Sequence, residues 1–498
     1  MFRRFILLTF ATVLFSQSLG AEGIRCGTLQ FMENSKNKAR KFLSKPGCVP
    51  EDYYGKVDSV ITKDRHFIIY YTDAPQKAHS IRTPDYIDSL AKYLEQAYKL
   101  YKDSLGMNSI SGASKTHHYQ KTVPLGLYPV EVIDIGLLRG HEGEFLVFGM
   151  TFPTDQRATQ IAIENDFLYG ANCQGSLSTE SFTSFINGNY SEPDKWHLAL
   201  KVTAFHELYH SFQMAQTDIT ENNSSWAEAS ATGVEEIGAP EVNDYISYLP
   251  NVFRNPEKPM GSSDSSDGGY GYSVLYLFLF SELGSRFDSA IWNYFSKYPK
   301  TNFYVQLARL AASRGIDADS LFHEFASRVF YSGKRADFSP EPLFWDKGDM
   351  LLWPAWKVKQ NAPSALPAGA IDFIMKTTEE FPRTDTVTKI SFINYGDSSV
   401  WVLSRLLEKE FVPPTPRGEL AAYPNPWNPT RHPKEVRFKV PENVNKVEIR
   451  SANGALLERI EVNSENQFIW RPKKIPAPGI LYYRTLPYGK NKVLIVEY

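Results

Sequence analysis

The stretch Thr203–Phe212 contains His206-Glu207-Leu208-Tyr209-His210. Two histidines four residues apart on a helix lie about one turn apart on the same face, so both can reach one ion. Neutral imidazoles bind zinc well, and a carboxylate beside metal-held water is a ready general base, the place Glu207 occupies. Val202, Phe205, Leu208 and Phe212 recur at helical spacing and give this helix a buried flank. The plainer alternative is an internal helix whose histidines only hydrogen-bond in the core. A second His-Glu pair, His323-Glu324, lacks the following histidine and reads as ordinary helix.

A catalytic zinc takes three protein ligands and a water, so His206 and His210 leave one protein position to fill. No histidine fills it at the metzincin offset, because Gln213 and Gln216 stand where that pattern needs Gly and His. After a polar loop at Thr220–Ser225, a second helix is expected from Trp226 to about Ile237. It carries Glu228, which reads either as the third ligand or as the far end of a capping box, Ser225-Trp226-Ala227-Glu228. Residue types alone leave both readings open. Acidic groups should orient the ligand histidines, and Glu235 and Asp218 are the candidates.

His206-Glu207-x-x-His210, followed by Trp226-Ala227-Glu228-Ala229-Ser230-Ala231-Thr232, resembles the gluzincin pattern. More narrowly it is similar to secreted bacterial metalloproteases of the myxobacterial type. Further matching stretches are Cys26-Gly27-Thr28, His66–Thr72, Pro84–Asp88 and Ile163–Phe167. The resemblance covers residues 26 to about 375. It implies an α+β zincin-like metallopeptidase domain, a zinc ion held by His206, His210 and Glu228, and a polypeptide substrate. The chain has one residue fewer between Trp226 and the glutamate than many gluzincins, which keeps Glu235 as an alternative ligand. In that group a tyrosine at the head of a later helix faces the substrate and steadies the developing oxyanion. The resemblance implies Tyr270 for this role, then Tyr272, within Gly268–Ser273; the alternative is a tyrosine that only packs under the cleft.

The chain of 498 residues has room for two to four domains, and its 42% hydrophobic and 22% charged residues are ordinary for a globular protein. A net charge of -2 gives no global field toward nucleic acid. Residues 1–20 read as a secretory signal: Arg3 and Arg4, an apolar run Phe5–Phe15, then small Ser18 and Gly20. No later stretch is long and apolar enough for a transmembrane segment. Export into an oxidising compartment allows one disulfide between Cys26 and Cys48, leaving Cys173. A second reading makes Cys26 a thiolate plug on the metal of a latent enzyme.

Residues 21–58 read as a possible leader, and 59–350 as the metallopeptidase domain. Strands are expected at His66–Thr72, Tyr128–Ile135, Glu144–Thr151 and Ala158–Phe167, the last either a cleft rim or an ordinary strand. Helices are expected from Pro84, at Ile291–Tyr298 and over Leu307–Val329. A small β domain is expected at 351–412, with strands at Leu351–Trp356, Ala370–Met375, Lys389–Asn394 and Val400–Arg405. A proline-rich linker follows at 413–421.

Residues 422–498 alternate in short strands and form an expected β-sandwich. Tyr423-Pro424-Asn425-Pro426, Phe438-x-Val440-Pro441, Ser451–Gly454 and Gly479-Ile480-x-x-Tyr483-Arg484 resemble the type A C-terminal sorting domain of the type IX secretion system. Leu481 stands where that family often has tyrosine. The resemblance implies passage through the periplasm and across the outer membrane, with the secretion machinery as partner and a secreted or cell-surface product. The rival reading is a non-catalytic surface protein on a zincin scaffold, whose β regions bind polysaccharide or host matrix.

Overall fold

The computed structural model describes residues 55–497 outside the segments 75–76, 78, 82, 84, 136–146, 155–156, 168–195, 263–268, 364, 378–381, 383–386, 410–420, 432–433, 441–445, 453–454, 462–467 and 487–491. The expected signal, residues 21–54 of the possible leader, all three cysteines, Pro84, the core of the proline-rich linker and Asn453-Gly454 lie outside the described residues.

The first sheet holds β1 (Asp58–Ile61), β2 (Phe67–Tyr71), β3 (Ser111–Gly112), β4 (Tyr128–Ile133), β5 (Gly149–Pro153) and β6 (Ala158–Glu164). Its order is β1-β2-β4-β6-β3, with β5 on the far side of β6. β2, β4, β6 and β3 run parallel, while β1 and β5 are antiparallel to their neighbours. Side-chain alternation sends Phe67, Ile69, Val130, Val132, Ile161 and Ile163 into the large core. The residues between them, including Ile68, Tyr70, Ile133 and Ala162, enter a smaller cluster closed by Tyr119, Val123 and Leu127. Covered faces on both sides explain why these strands are apolar throughout. The strand considered as a cleft rim, β6, is interior, since β4 and β5 occupy its two edges. The outer place belongs to β5, which pairs only with β6 among the described strands.

Nine α-helices are described: α1 (Tyr86–Lys99), α2 (Trp196–Gln216), α3 (Ser224–Gly238), α4 (Leu249–Arg254), α5 (Ser273–Leu283), α6 (Phe287–Lys297), α7 (Phe303–Ser313), α8 (Ala318–Val329) and α9 (Lys347–Leu352). α1 is amphipathic and buries Ile87, Leu90, Leu94 and Ala97. α2 is buried nearly all round from Ala199 to Gln216, because β5 and β6 cover one side while α1 and α3 cover others. The single helix expected over Leu307–Val329 is two, α7 and α8. Gly315 breaks it at φ +71°, and the Asp317 carboxylate caps α8 by accepting from the Ser320 amide.

Three helices meet on one buried carboxylate. Tyr209 Oη of α2, Trp226 Nε1 of α3 and Trp292 Nε1 of α6 donate to Asp288 at 2.5, 2.7 and 3.0 Å. Burial pushes the Asp288 carboxyl up to about 6, against the downward pull of those three donors. The Trp226 ring also stacks on Phe303 with centroids 3.8 Å apart. These contacts set α3 against α2.

The segment 351–412 departs from the expected separate β domain. Leu351 and Leu352 end α9 rather than begin a strand. Trp353 and Trp356 are buried in the same core as the helices, donating to Tyr245 Oη at 2.8 Å and to the Val329 carbonyl at 3.0 Å. β7 (Ala370–Met375), β8 (Lys389–Tyr395) and β9 (Ser398–Arg405) form an antiparallel sheet, ordered β7-β9-β8, whose Phe373, Val400 and Val402 join that core. His323 of α8 lies between Ser391 Oγ and Ser404 Oγ, at 2.7 and 2.8 Å, and so anchors this sheet.

The C-terminal body has a core of its own. β10 (Ala421–Tyr423), β11 (Val436–Lys439) and β14 (Phe468–Trp470) make one antiparallel sheet. β12 (Lys446–Ser451), β13 (Leu456–Glu461), β15 (Gly479–Leu486) and β16 (Lys492–Val496) make another, ordered β13-β12-β15-β16. Both sheets contribute to one cluster around Trp427, including Val436, Phe438, Ile449 and Tyr483. The whole described chain is therefore α+β with a β-rich end. No helix among the described residues is long and apolar enough to cross a membrane.

Candidate metal centre

His206 and His210 sit on consecutive turns of α2, and Glu228 sits on α3, which packs against it. All three side chains are buried, and their atoms converge. His206 Nε2 is 3.1 Å from Glu228 Oε2, His210 Nε2 is 3.5 Å from the same oxygen, and the two Nε2 atoms are 3.0 Å apart. Ligand bonds of about 2.0–2.1 Å in a tetrahedron place neighbouring donor atoms about 3.3 Å apart. The triangle of 3.0, 3.1 and 3.5 Å brackets that spacing, so the donor set fits a zinc-sized ion. The capping-box reading of Glu228 does not hold, because α3 starts at Ser224 with Asn223 as its N-cap. Glu228 thus lies beyond the first turn, and its carboxylate faces the histidines.

The far nitrogens of both rings are occupied. His206 Nδ1–H donates to Glu235 Oε1 at 2.5 Å, one of the two acids considered for this task. That bond takes Glu235 out of contention as the third ligand and makes it the group that orients His206. Asp218 is exposed, and its carbonyl only accepts from Asn223. Glu236, adjacent to Glu235, turns about 100° away around α3. Burial and the nearby Asp349 carboxylate push it up to about 9. Burial alone would also raise Glu228, but its interactions with His210 and then His206 outweigh that and bring it to about 2. A bound cation pulls in the same direction.

Glu207 lies about 100° round α2 from His206, on the side toward the sheet. Thr151 Oγ1 on β5 lies 2.7 Å from Glu207 Oε2 and 2.8 Å from the Glu207 carbonyl, either of which accepts its proton. Gly149 lies directly against the same side chain. A Cβ added there would overlap Glu207 Cγ and come within 2.8 Å of Thr203 Cγ2 and 2.9 Å of Glu207 Oε1. The missing side chain at 149 is what lets the β5 backbone approach the carboxylate.

A small cavity of about 20 Å³ lies beside His206 and Glu207, lined also by Glu235 and Tyr270, with Phe148, Asp244 and Tyr248 at its walls. Tyr270 stacks on the His206 ring, with centroids 5.7 Å apart and planes 12° from parallel, and Tyr248 stacks on Tyr270 at 4.7 Å. Tyr272 is placed elsewhere. Its hydroxyl donates to the Lys258 carbonyl, and its ring lines a separate cavity with Val252, Pro256 and Trp356. The turn at Tyr270–Tyr272 is 3₁₀, about three residues per repeat, so two positions on it face different ways.

The chain matches no known protein family, curated protein or solved structure. The site therefore stands on its own geometry. Residue types pointed to His206, Glu207 and His210, resemblance added Glu228, and the fold brings their elements together. Thr151, Gly149, Tyr248 and Gln213 carried no motif signal toward this site, because their relation to it arises across elements or within a buried helix face.

Proposed function

We propose that this chain is a secreted zinc-dependent endopeptidase with a zincin-like arrangement of helices around its metal. The observation that carries the reading is the convergence of His206, His210 and Glu228 on one point, next to a cavity that Glu207 also lines. His206, His210 and Glu228 would hold the ion, and no cysteine or further histidine stands with them among the described residues, as a structural site of four protein ligands would require. A zinc bound there supplies Lewis acidity, making its water acidic and polarising the scissile carbonyl.

The chain's own groups do the rest. Glu207 takes the proton of the attacking water and passes it to the departing amine. Thr151, by holding one carboxylate oxygen, leaves the other for that proton. Tyr270 at the cavity wall can donate to the oxygen on which charge develops. β5, the outer strand beside Glu207, can pair its backbone with an extended polypeptide. The two-sheet C-terminal body, with its separate core, suits the proposed role of a type IX sorting domain.

Substituting Glu207→Gln should preserve zinc content in the purified chain while abolishing casein hydrolysis; a variant that still cleaves casein removes the mechanism. Deleting 422–498 should trap the chain in the periplasm, and its appearance in the medium would discard the sorting assignment.

A further inference from the structure

Gln213 carried no role in the sequence pattern, yet in the fold it touches both halves of the candidate centre. It lies one turn beyond His210 on α2, fully buried. Its Nε2 donates to the Ala227 carbonyl and to Ser230 Oγ of α3, each at 3.0 Å. A backbone carbonyl only accepts, so the amide nitrogen must face α3 and the amide oxygen must face the other way. That oxygen, Oε1, is 2.8 Å from His210 Nδ1. An amide oxygen also only accepts, so Nδ1 carries the proton and Nε2 of His210 is left bare. The tautomer of His210 thus follows from an acceptor two bonds away on another helix.

The same bonds fix distance as well as protonation. Ala227 directly precedes Glu228, and Ser230 in turn donates to the Trp226 carbonyl at 2.7 Å. Gln213 therefore grips α3 on either side of the glutamate whose carboxylate completes the triangle. Charge explains why an amide serves here. Glu207, Glu228, Glu235 and Asp244 are already four buried carboxyl groups around the site. A further carboxylate at 213 would be desolvated with no added cation to offset it.

We propose that Gln213 is the positioning residue of this centre: through one amide it holds His210 with Nε2 available to a metal and sets the glutamate-bearing helix at ligand distance. The inference rests on the metal-centre reading above, and its test separates the two. Gln213→Met keeps the volume and removes all three bonds, while Gln213→Glu restores an acceptor for His210 Nδ1–H. Zinc affinity by chelator competition should fall about 10- to 100-fold in Gln213→Met. Gln213→Glu should recover part of that loss, the share due to His210, while its second oxygen faces the Ala227 carbonyl, gives up that hold on α3 and lowers the melting temperature of the metal-free chain.

A role in folding alone would lower the melting temperature of both variants and leave zinc affinity alike in all three chains. Gln213→Met with unchanged zinc affinity refutes the proposal, as does a Gln213→Glu chain no better than Gln213→Met. A metal-free arm distinguishes failure of the underlying reading. In protein labelled with ¹⁵N-histidine, His210 should be the Nδ1–H tautomer in the wild-type chain and a mixture in Gln213→Met. Wild-type protein that takes up no zinc but keeps this tautomer, lost in Gln213→Met, overturns the metal centre and supports Gln213's hold on His210. A mixed tautomer in the wild-type chain overturns Gln213's role whatever the metal does.

Discussion

Gly149→Ala is the substitution whose effect can be worked most directly from the structure. The added methyl would sit 2.8 Å from Thr203 Cγ2, which is 0.6 Å short of the 3.4 Å at which ordinary contact begins. Its overlap with Glu207 Cγ is greater still. Thr203 belongs to the buried helix α2, and β5 is hydrogen-bonded to β6, so neither backbone yields freely. The Glu207 side chain is the part that can turn, and relief requires it to retreat by on the order of 1 Å. Misplacing a reacting group by that much costs about 10²-fold in rate. That corresponds to about 2.7 kcal/mol of transition-state stabilisation. Overpacking should also lower stability by about 1–3 kcal/mol. The three atoms nearest the methyl belong to Glu207 and Thr203 and none to His206, His210 or Glu228, so zinc content should stay at the wild-type level. The measurement is kcat for peptide hydrolysis alongside metal analysis and a denaturation curve. A Gly149→Ala enzyme with wild-type kcat would show that Glu207 in this position is not the base. Loss of zinc together with activity would show that the effect travels through the ligands instead.

Two further outcomes follow from placement and burial. Tyr270→Phe should reduce kcat about 10-fold or more with little change in zinc content, whereas Tyr272→Phe, whose hydroxyl is engaged by Lys258, should leave kcat within about 3-fold and lower stability instead; equal kcat losses in the two variants would contradict the assignment. Asp288 has a folded-state pKa of about 6 against an ordinary 3.8, so the native chain holds a proton there that the unfolded chain releases. Its contribution is therefore greatest below about pH 4 and declines as pH rises to about 6, by about 3 kcal/mol, then levels off. In Asp288→Asn that component of the pH dependence should vanish from urea-unfolding free energies measured between pH 4 and 7; an unchanged difference between the two proteins across this window would contradict it.

Much of the secondary structure was legible because local pattern and tertiary demand coincide. β7 spans Ala370–Met375 as expected, and α2 and α3 bracket their motifs. The misreadings share one cause. Leu351–Trp356 has the apolar density of a strand, yet its tryptophans are there to fill the core between α4, α8 and α9. Its separate-domain reading failed for the same reason, since composition cannot tell whose core a tryptophan enters. For β6 residue types left rim and ordinary strand both open, because a half-buried edge and a doubly paired strand both favour β-branched residues.

Within the candidate site, the convergence of His206 and His210 was readable from spacing because they share one helix, where geometry is set by 3.6 residues per turn. Glu228 needed resemblance, since its distance from the histidines crosses a loop. Which partner each ligand would take was beyond any spacing rule. Glu235 and Glu236 are neighbours of the same type, and only the seating of α3 decides that the first meets His206 while the second faces Asp349. Tyr270 and Tyr272 are likewise two residues apart and diverge through a 3₁₀ turn. Local periodicity determined which side chains could act together on one element. The packing of α2 against α3 and β5 decided which did so across elements, because Asp288, Gln213 and Gly149 set those separations to tenths of an ångström, and no pattern along the chain carries that information.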